Sequence, residues 1–298
     1  MKGYVKFITA MLIWGSIGIF VRGIDLPSSG IALLRGAIGS LFLLAASLII
    51  KNRLSRTAIK RNGLLLLLSG TALGLNWIFL FEAYRYTTIA AATLSYYFAP
   101  VFVMMLAPVV LKEKWTPVKI VSIFSAMCGL FLVITNGNLH FGEQGSHAAG
   151  IMFGLLAAVF YASLILMNKF IKNLSDFDTT VVQLTVAAAV LLPYVLFKED
   201  LNFAGFGTET ILLILVVGIV HTGIAYLLYF SAIKELKGQS IAVLSYIDPV
   251  SAVIFAAIFL GEGMTLLQTA GGILILGSTF LSETLDSKLK RPGKKQAG

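Results

Sequence analysis

Ten apolar stretches of 18 to 24 residues, separated by short polar connections, set the limits on what this chain can become. They are Tyr4–Val21, Gly30–Ile50, Gly63–Phe81, Thr88–Leu111, Val118–Thr135, Ala148–Asn168, Thr179–Phe197, Thr210–Ile233, Gln239–Leu260 and Leu266–Thr284. A helix needs about 20 mostly apolar residues to cross the hydrocarbon core of a bilayer. Such stretches make an all-α integral membrane protein of ten spans. A soluble domain carries about 25% charged residues, whereas this chain carries 12%. Disordered chains are polar and charge-rich, so the same figure excludes them. A membrane β-barrel would alternate at period two over short segments, and the runs here are continuous. Lys2 and Lys6 open the first stretch as in a signal peptide, but no small-residue cleavage site stands out after it. It reads as a retained first span.

A net charge of +9 invites a nucleic-acid reading, which the positions of the charges remove. With the N-terminus placed in the cytoplasm, 19 of the 23 Lys and Arg residues fall in inside segments and three outside, with Arg35 within a span. Inside segments then sum to +13 and outside segments to −4. Short cytoplasmic loops of membrane proteins collect Lys and Arg, so the excess is an orientation signal. Both termini are expected in the cytoplasm, in the cell (inner or plasma) membrane, with residues 287–298 a basic tail.

The chain also repeats itself. At an offset of 149, Gly74 meets Gly223, Phe81 meets Phe230, Tyr97 meets Tyr246, Pro100 meets Pro249, Glu113 meets Glu262 and Thr116 meets Thr265. Chance gives matched Ala and Phe in two apolar sequences. It does not account for aligned Gly, Pro and Glu at one offset. Each copy holds five spans, residues 1–137 and 138–286. An odd number of spans reverses direction, so the second copy is expected upside down. Inverted repeats give one scaffold two related states and are common in alternating-access transporters.

These residues resemble the EamA-type branch of the drug/metabolite transporter superfamily. The first copy reads Pro100, then Leu111-Lys112-Glu113-Lys114-Trp115-Thr116; the second reads Pro249, then Leu260-Gly261-Glu262-Gly263-Met264-Thr265-Leu266-Leu267-Gln268, with Gly271, Gly272 and Gly277 beyond. The second copy is the better match, since Lys119 stands where Gln268 has its counterpart. The resemblance covers nearly the whole chain; it is specific for family and weak for substrate. It implies transport of amino acids, other metabolites or toxic compounds, mostly outward. It also implies a central cavity built by the first, third and fourth helices of each half.

Ionisable groups inside a bilayer cost about 2.5–3.5 kcal/mol at the centre and are functional candidates. Asp248, followed by Pro249, is the foremost. It suits a proton, a cation or a substrate ammonium; the alternative is a hydrogen bond between helices. Ser245 and Ser251 flank it at spacing three. Arg35 either faces a cavity or snorkels to the surface. His221, midway along the eighth span, titrates near neutral pH when unperturbed, and a neutral hydrogen-bonded ring is the other reading. Asn76 and Trp77 lie similarly deep. Trp14 with Tyr161, Trp77 with Tyr226, and Tyr97 with Tyr246 are matched aromatics for a cavity wall or for ordinary packing. Thr93, Tyr97, Pro100 and Met104 share one helix face, and Pro100 and Pro249 are candidate hinges. Glu82 and Arg85 are expected to form a surface pair, Gly70 and Gly74 to let helices approach, and Trp115 to sit at the interface.

Cys128 is the single cysteine, which leaves no disulfide or thiolate metal site. No motif of nucleophilic, zinc or phosphate-loop chemistry occurs. The expected partners are a small-molecule substrate, the lipid bilayer and, as candidate coupling ion, protons. No cofactor and no nucleic acid are expected. A monomer and a homodimer both suit the sequence. Exporter, importer and non-transporting membrane scaffold remain as functional alternatives.

Overall fold

The computed structural model describes residues 2–50, 55–135, 145–199 and 207–289. Among these residues there are helices and no strands. The helices are α1 (Lys2–Arg22), α2 (Ser28–Ile49), α3 (Arg56–Arg61), α4 (Gly63–Tyr86), α5 (Ile89–Tyr96), α6 (Ala99–Val110) and α7 (Pro117–Thr135). Then follow α8 (Gly145–Asn168), α9 (Asp176–Lys198), α10 (Thr208–Gly218), a π-helical turn (Ile219–Ile224), α11 (Ala225–Ile233), α12 (Gly238–Ser245), α13 (Ile247–Leu260) and α14 (Leu266–Leu289). Nine stretches of the described chain are long and apolar enough to cross a membrane, and Leu266–Ser282 is a shorter tenth.

Three expected spans are not continuous α-helices. The fourth divides into α5 and α6 around Tyr97 and Phe98, and the ninth into α12 and α13 at Tyr246. The prolines explain where. Pro100 and Pro249 sit in the first turn of α6 and α13, where a missing N–H costs nothing. Each lacks the N–H that would bind the carbonyl four residues back, at Tyr96 or Ser245. The eighth span is α10 and α11 joined through the π turn. Such turns insert a wider loop of backbone and recur at functional sites.

The fourth and ninth spans end alike. Lys112 and Gly261, 149 apart, both adopt left-handed backbone, with φ of 56° and 66°. The following N–H groups reach back six residues, Glu113 to Ala107 O at 3.4 Å and Glu262 to Ala256 O at 3.3 Å. This is the usual glycine-type helix stop, filled by lysine in the first copy. Thr116 and Thr265 then start the next helix, their hydroxyls accepting from Lys119 N at 3.3 Å and Gln268 N at 3.2 Å. Glu-x-x-Thr is therefore a corner: the Glu leaves one helix and the Thr caps the next.

Packing contacts fall in matched sets. α1 packs on α13 and α11, while α8 packs on α5–α6 and α4. α4 packs on α9, while α10 and the π turn pack on α2. The pairs α2 with α9, α7 with α14, and α5 with α13 complete the set. Exchanging the first five spans for the second five maps these pairs onto one another, while the contact of α2 with α4 has no comparable counterpart between α9 and α10–α11. Lipid is as apolar as leucine, so close approach of small residues holds such helices together. A Cβ at Gly70 would lie 2.6 Å from Val186 Cβ and 2.9 Å from Gln183 O on α9. Apolar side chains such as Phe124, Phe131, Ile258 and Phe259 are exposed on the outside of the bundle, the pattern of a lipid-facing surface.

Candidate functional site

Arg35 is 5% exposed and does not reach the surface. Its guanidinium carbon lies 4.1 Å from the centroid of the Trp77 ring and 5.8 Å from that of Phe81. Its Nε donates to Thr222 Oγ1 at 2.9 Å. The snorkelling alternative is set aside by this geometry. Thr222 is available because the π turn lets its hydroxyl donate to Val217 O, five residues back, while accepting from Arg35. No carboxylate of the described residues stands within ion-pair distance of Arg35.

Asp248 lies in the first turn of α13 and is half-buried. The Tyr97 hydroxyl donates to its Oδ2. The breaks of the fourth and ninth spans thus meet, and a phenol and a carboxylate join them. Asp248 and Arg35 do not form an ion pair with each other. Neither neighbouring serine turns to the carboxylate: Ser245 Oγ donates to Ile241 O at 2.8 Å and Ser251 Oγ to Asp248 O at 2.9 Å.

His221 is buried in the π turn with both ring nitrogens engaged. Nδ1 faces Val216 O at 3.3 Å and Nε2 faces Ser16 Oγ at 3.0 Å. A neutral ring satisfies both if Nδ1–H donates and Nε2 accepts the Ser16 proton. The Ser16 hydroxyl also lies 2.8 Å from Ile13 O, so its one proton has two acceptors. The Trp14 indole donates to His221 O at 2.9 Å, and Phe20 lies against the imidazole.

Two aromatic groups flank the broken helices. Tyr96 contacts Tyr97 and Tyr161, with centroids 5.6 and 5.4 Å apart. Trp14 contacts Tyr226 and Tyr229 at 5.2 and 5.4 Å. Tyr246 instead packs edge-on to Phe280 of α14, 5.4 Å away, so it does not mirror Tyr97. Asn76 is 1% exposed and its Nδ2 donates to Ala157 O at 2.7 Å, which ties α4 to α8. Gln183, at the place matching Arg35, ties α9 to Ser69 and Asn168 at 2.7 Å each. Thr93 and Met104 lie on the α5–α6 stripe, with Met104 Sδ accepting from Ser282 at 3.1 Å. Trp115 is exposed, and Glu82 meets Arg85 at 4.0 Å while accepting from Ser28 Oγ at 2.6 Å.

A cavity of about 330 Å³ opens beside Arg22, Asp25, Ser28, Ile31, Phe81 and Tyr84. Phe81, which lines it, has its ring centroid 5.8 Å from the guanidinium carbon of Arg35; Arg35 itself is not in the lining. Among the described residues, no cluster of His, Cys, Asp and Glu is arranged to hold a metal ion. Sequence reasoning missed Thr222, Tyr96 and Tyr229. Thr222 became a partner of Arg35 through the π turn, which no residue pattern announces. The two tyrosines adjoin aromatics already singled out.

The model of the EamA-like transporter family matches residues 1–135 and, a second time, residues 148–284. The chain belongs to the EamA-like transporter family. Several relatives are named as transporters. It is 32% identical over 280 residues to the Bacillus subtilis (strain 168) "Uncharacterized transporter YxxF", covering 93% of this chain and 88% of that one. It is 30% identical over 193 residues to a Salmonella typhimurium (strain LT2) "Probable amino-acid metabolite efflux pump", covering 61% and 62%. A solved structure titled only as a protein superposes with a TM-score of 0.65 at 19% identity, covering 97% of this chain and 99% of that chain, and it supports the fold. The EamA-like chain is therefore an all-helical multi-pass membrane protein of a transporter family.

Proposed function

We propose that this EamA-like protein is a secondary-active or facilitative exporter of small metabolites, working by alternating access between two inverted five-helix repeats. Residues 1–137 form the first repeat and 138–286 the second, with both termini cytoplasmic. The double family match, the matched helix contacts and the identical corners at Glu113 and Glu262 support the repeat. Transporter sites commonly lie at broken helices in corresponding positions of two repeats, and here the breaks meet at Tyr97 and Asp248.

The carrying observation is a buried Arg35 with no carboxylate partner among the described residues, together with a half-buried Asp248 held by the Tyr97 phenol where the two broken spans meet. A buried cation is stable when an anion completes it. A substrate carboxylate supplies that anion at Arg35, and a substrate ammonium suits Asp248. Tyr96, Tyr161, Trp14 and Tyr226 offer apolar bodies with polar tips for the rest of the molecule. Zwitterionic metabolites, amino acids among them, fit this distribution. The printed name of the Salmonella relative agrees with that class. Proton coupling is assigned to Asp248, which gains and loses a charge beside the Tyr97 hydroxyl. His221 is assigned to packing, with Nδ1 facing Val216 O and Nε2 sharing the Ser16 hydroxyl with Ile13 O.

The test is thermal stabilisation of the purified protein by a panel of amino acids, monocarboxylates, amines and toxic cations. Zwitterions should raise Tm and lone amines should not. Stabilisation by organic cations alone would reverse the assignment of Arg35.

A further inference from the structure

At the Arg22 end of the bundle a carboxylate ties the ends of three helices together, to one side of the cavity beside Asp25 and Ser28. Glu262 accepts from Arg22 Nη1 with one oxygen and from the backbone N–H of Ile89 with the other, at 2.8 Å. Arg22 Nη2 also lies 3.4 Å from Thr87 O. One side chain thus ties the end of α1 and the corner after α13 to the first N–H of α5. That N–H is otherwise without a partner in its helix, and a carboxylate there is favoured by the helix dipole. At this end α5 and α13 pack on one another. At the other end, the matching half-helices α6 and α12 share no comparable packing among the described residues.

The repeat places the same parts at the other end. Glu113 stands at the same corner as Glu262, with the same backbone bond. Ile89 corresponds to Gly238, the first residue of α12, and at the offset of 147 that matches Trp14 with Tyr161 in the first and sixth spans, Arg22 corresponds to Lys169, just after α8. The N-cap of α5 is Thr88, whose hydroxyl accepts from Ala91 N at 3.1 Å. The N-cap of α12 is Lys237, a side chain with no acceptor. Glu113 instead lies 2.8 Å from Lys119 Nζ on its own corner.

We infer that Glu262 and Glu113 are alternating gate latches: Glu262 closes the Arg22 end by capping α5, and Glu113 closes the opposite end by capping α12 and pairing with Lys169. This rests on the alternating-access reading above and deepens it. In this structure the first latch is made, and Glu113 pairs with Lys119 on its own corner. Each latch stabilises one of two states, so removing one shifts the equilibrium towards the state the other holds.

The experiment uses cysteine reporters in a Cys128→Ala background, labelled with a charged, membrane-impermeant maleimide in reconstituted protein. Thr93→Cys sits one turn inside the α5 cap, and Met104→Cys sits on the α6 side of the break. Glu262→Gln should raise Thr93→Cys labelling by about tenfold, as expected for loss of a charge-assisted hydrogen bond, and lower Met104→Cys labelling. Glu113→Gln should do the opposite at both reporters. Arg22→Gln should act in the direction of Glu262→Gln. Shifts in the same direction at both reporters mean loosening of the fold and overturn the latch, as does no shift. Opposed shifts without solute flux leave the latch and remove the transporter reading. Flux without opposed shifts removes the latch alone.

Discussion

Tyr97 donates its hydroxyl hydrogen to Asp248, joining the break in the fourth span to the break in the ninth. Both partners stand beside a proline that interrupts a helix, and each belongs to a different repeat. A proton on Asp248 therefore alters a contact between the two halves of the molecule, which is what coupling requires.

Asp248→Asn removes the charge and keeps the shape. Exchange of substrate across proteoliposomes should persist at a raised KM, because the substrate ammonium loses its counter-charge while exchange needs no net proton movement. Accumulation driven by an imposed pH gradient should be lost. Tyr97→Phe should weaken the pH dependence without abolishing exchange. Retained gradient-driven accumulation in Asp248→Asn moves the coupling proton to another group.

Arg35 stacks on Trp77 through a planar cation, and lysine cannot reproduce that plane. A desolvated cation–π contact contributes about 2 kcal/mol. Arg35→Lys should therefore lower carboxylate-substrate flux by about tenfold or more, and Trp77→Phe should lower it less. A direct comparison of initial rates, at matched amounts of folded protein, reads the difference.

Gly15 lets α1 meet α13. A Cβ there would lie 2.0 Å from Ser251 Oγ and 2.7 Å from the backbone oxygen of Asp248. The serine hydroxyl can turn aside, but the carbonyl belongs to the first turn of α13. Gly15→Val should cost about 1–3 kcal/mol by overpacking and show as a lower Tm in detergent. Gly63→Ala, with nothing within 4 Å of its Cβ, is the matched control and should leave Tm unchanged.

Glu235 lies beyond the end of α11, outside the spans. A hydrogen bond from Lys6 Nζ, at 2.7 Å, holds its carboxyl below the ordinary 4.5. A depressed carboxyl pKa adds stability above the unfolded value, and that stability is lost as pH falls through the folded value. The Tm difference between wild type and Glu235→Gln should be present above about pH 5 and should close as the pH is lowered below 4.5. Salt should narrow it as well, since the pair is exposed.

The spans were legible because bilayer thickness imposes a length and an apolar composition that composition alone reveals. Nine stretches of the described chain are long and apolar enough to cross a membrane, and the tenth expected stretch, Leu266–Thr284, lies within the helix α14 (Leu266–Leu289). Glu-x-x-Thr was visible as a motif, yet its meaning as a left-handed corner appeared only with the φ angles of Lys112 and Gly261. The breaks at Tyr97 and Tyr246 were foreshadowed by the prolines but lie two or three residues before them. Periodicity marks faces and not backbone interruptions. For Arg35 the sequence admits both a cavity and the surface; its burial was not readable there, and neither was its partner. Thr222 reaches it through a π turn, and nothing in the local sequence distinguishes six residues of π-helix from six of α-helix. Asn76 looked like a cavity residue by depth and proved to bind α8. Depth along a helix is readable from sequence; the direction around its axis depends on which helices pack on each side.

The central claim is a transport site between Arg35 and Asp248. Its most direct test is uptake of a radiolabelled zwitterion, chosen by thermal stabilisation, into proteoliposomes containing wild type, Arg35→Gln or Asp248→Asn protein. The account predicts saturable uptake by wild type, at least about tenfold loss in Arg35→Gln, and exchange without gradient-driven accumulation in Asp248→Asn. Equal uptake by all three proteins, or no saturable uptake of a ligand that stabilises the wild type, would contradict it.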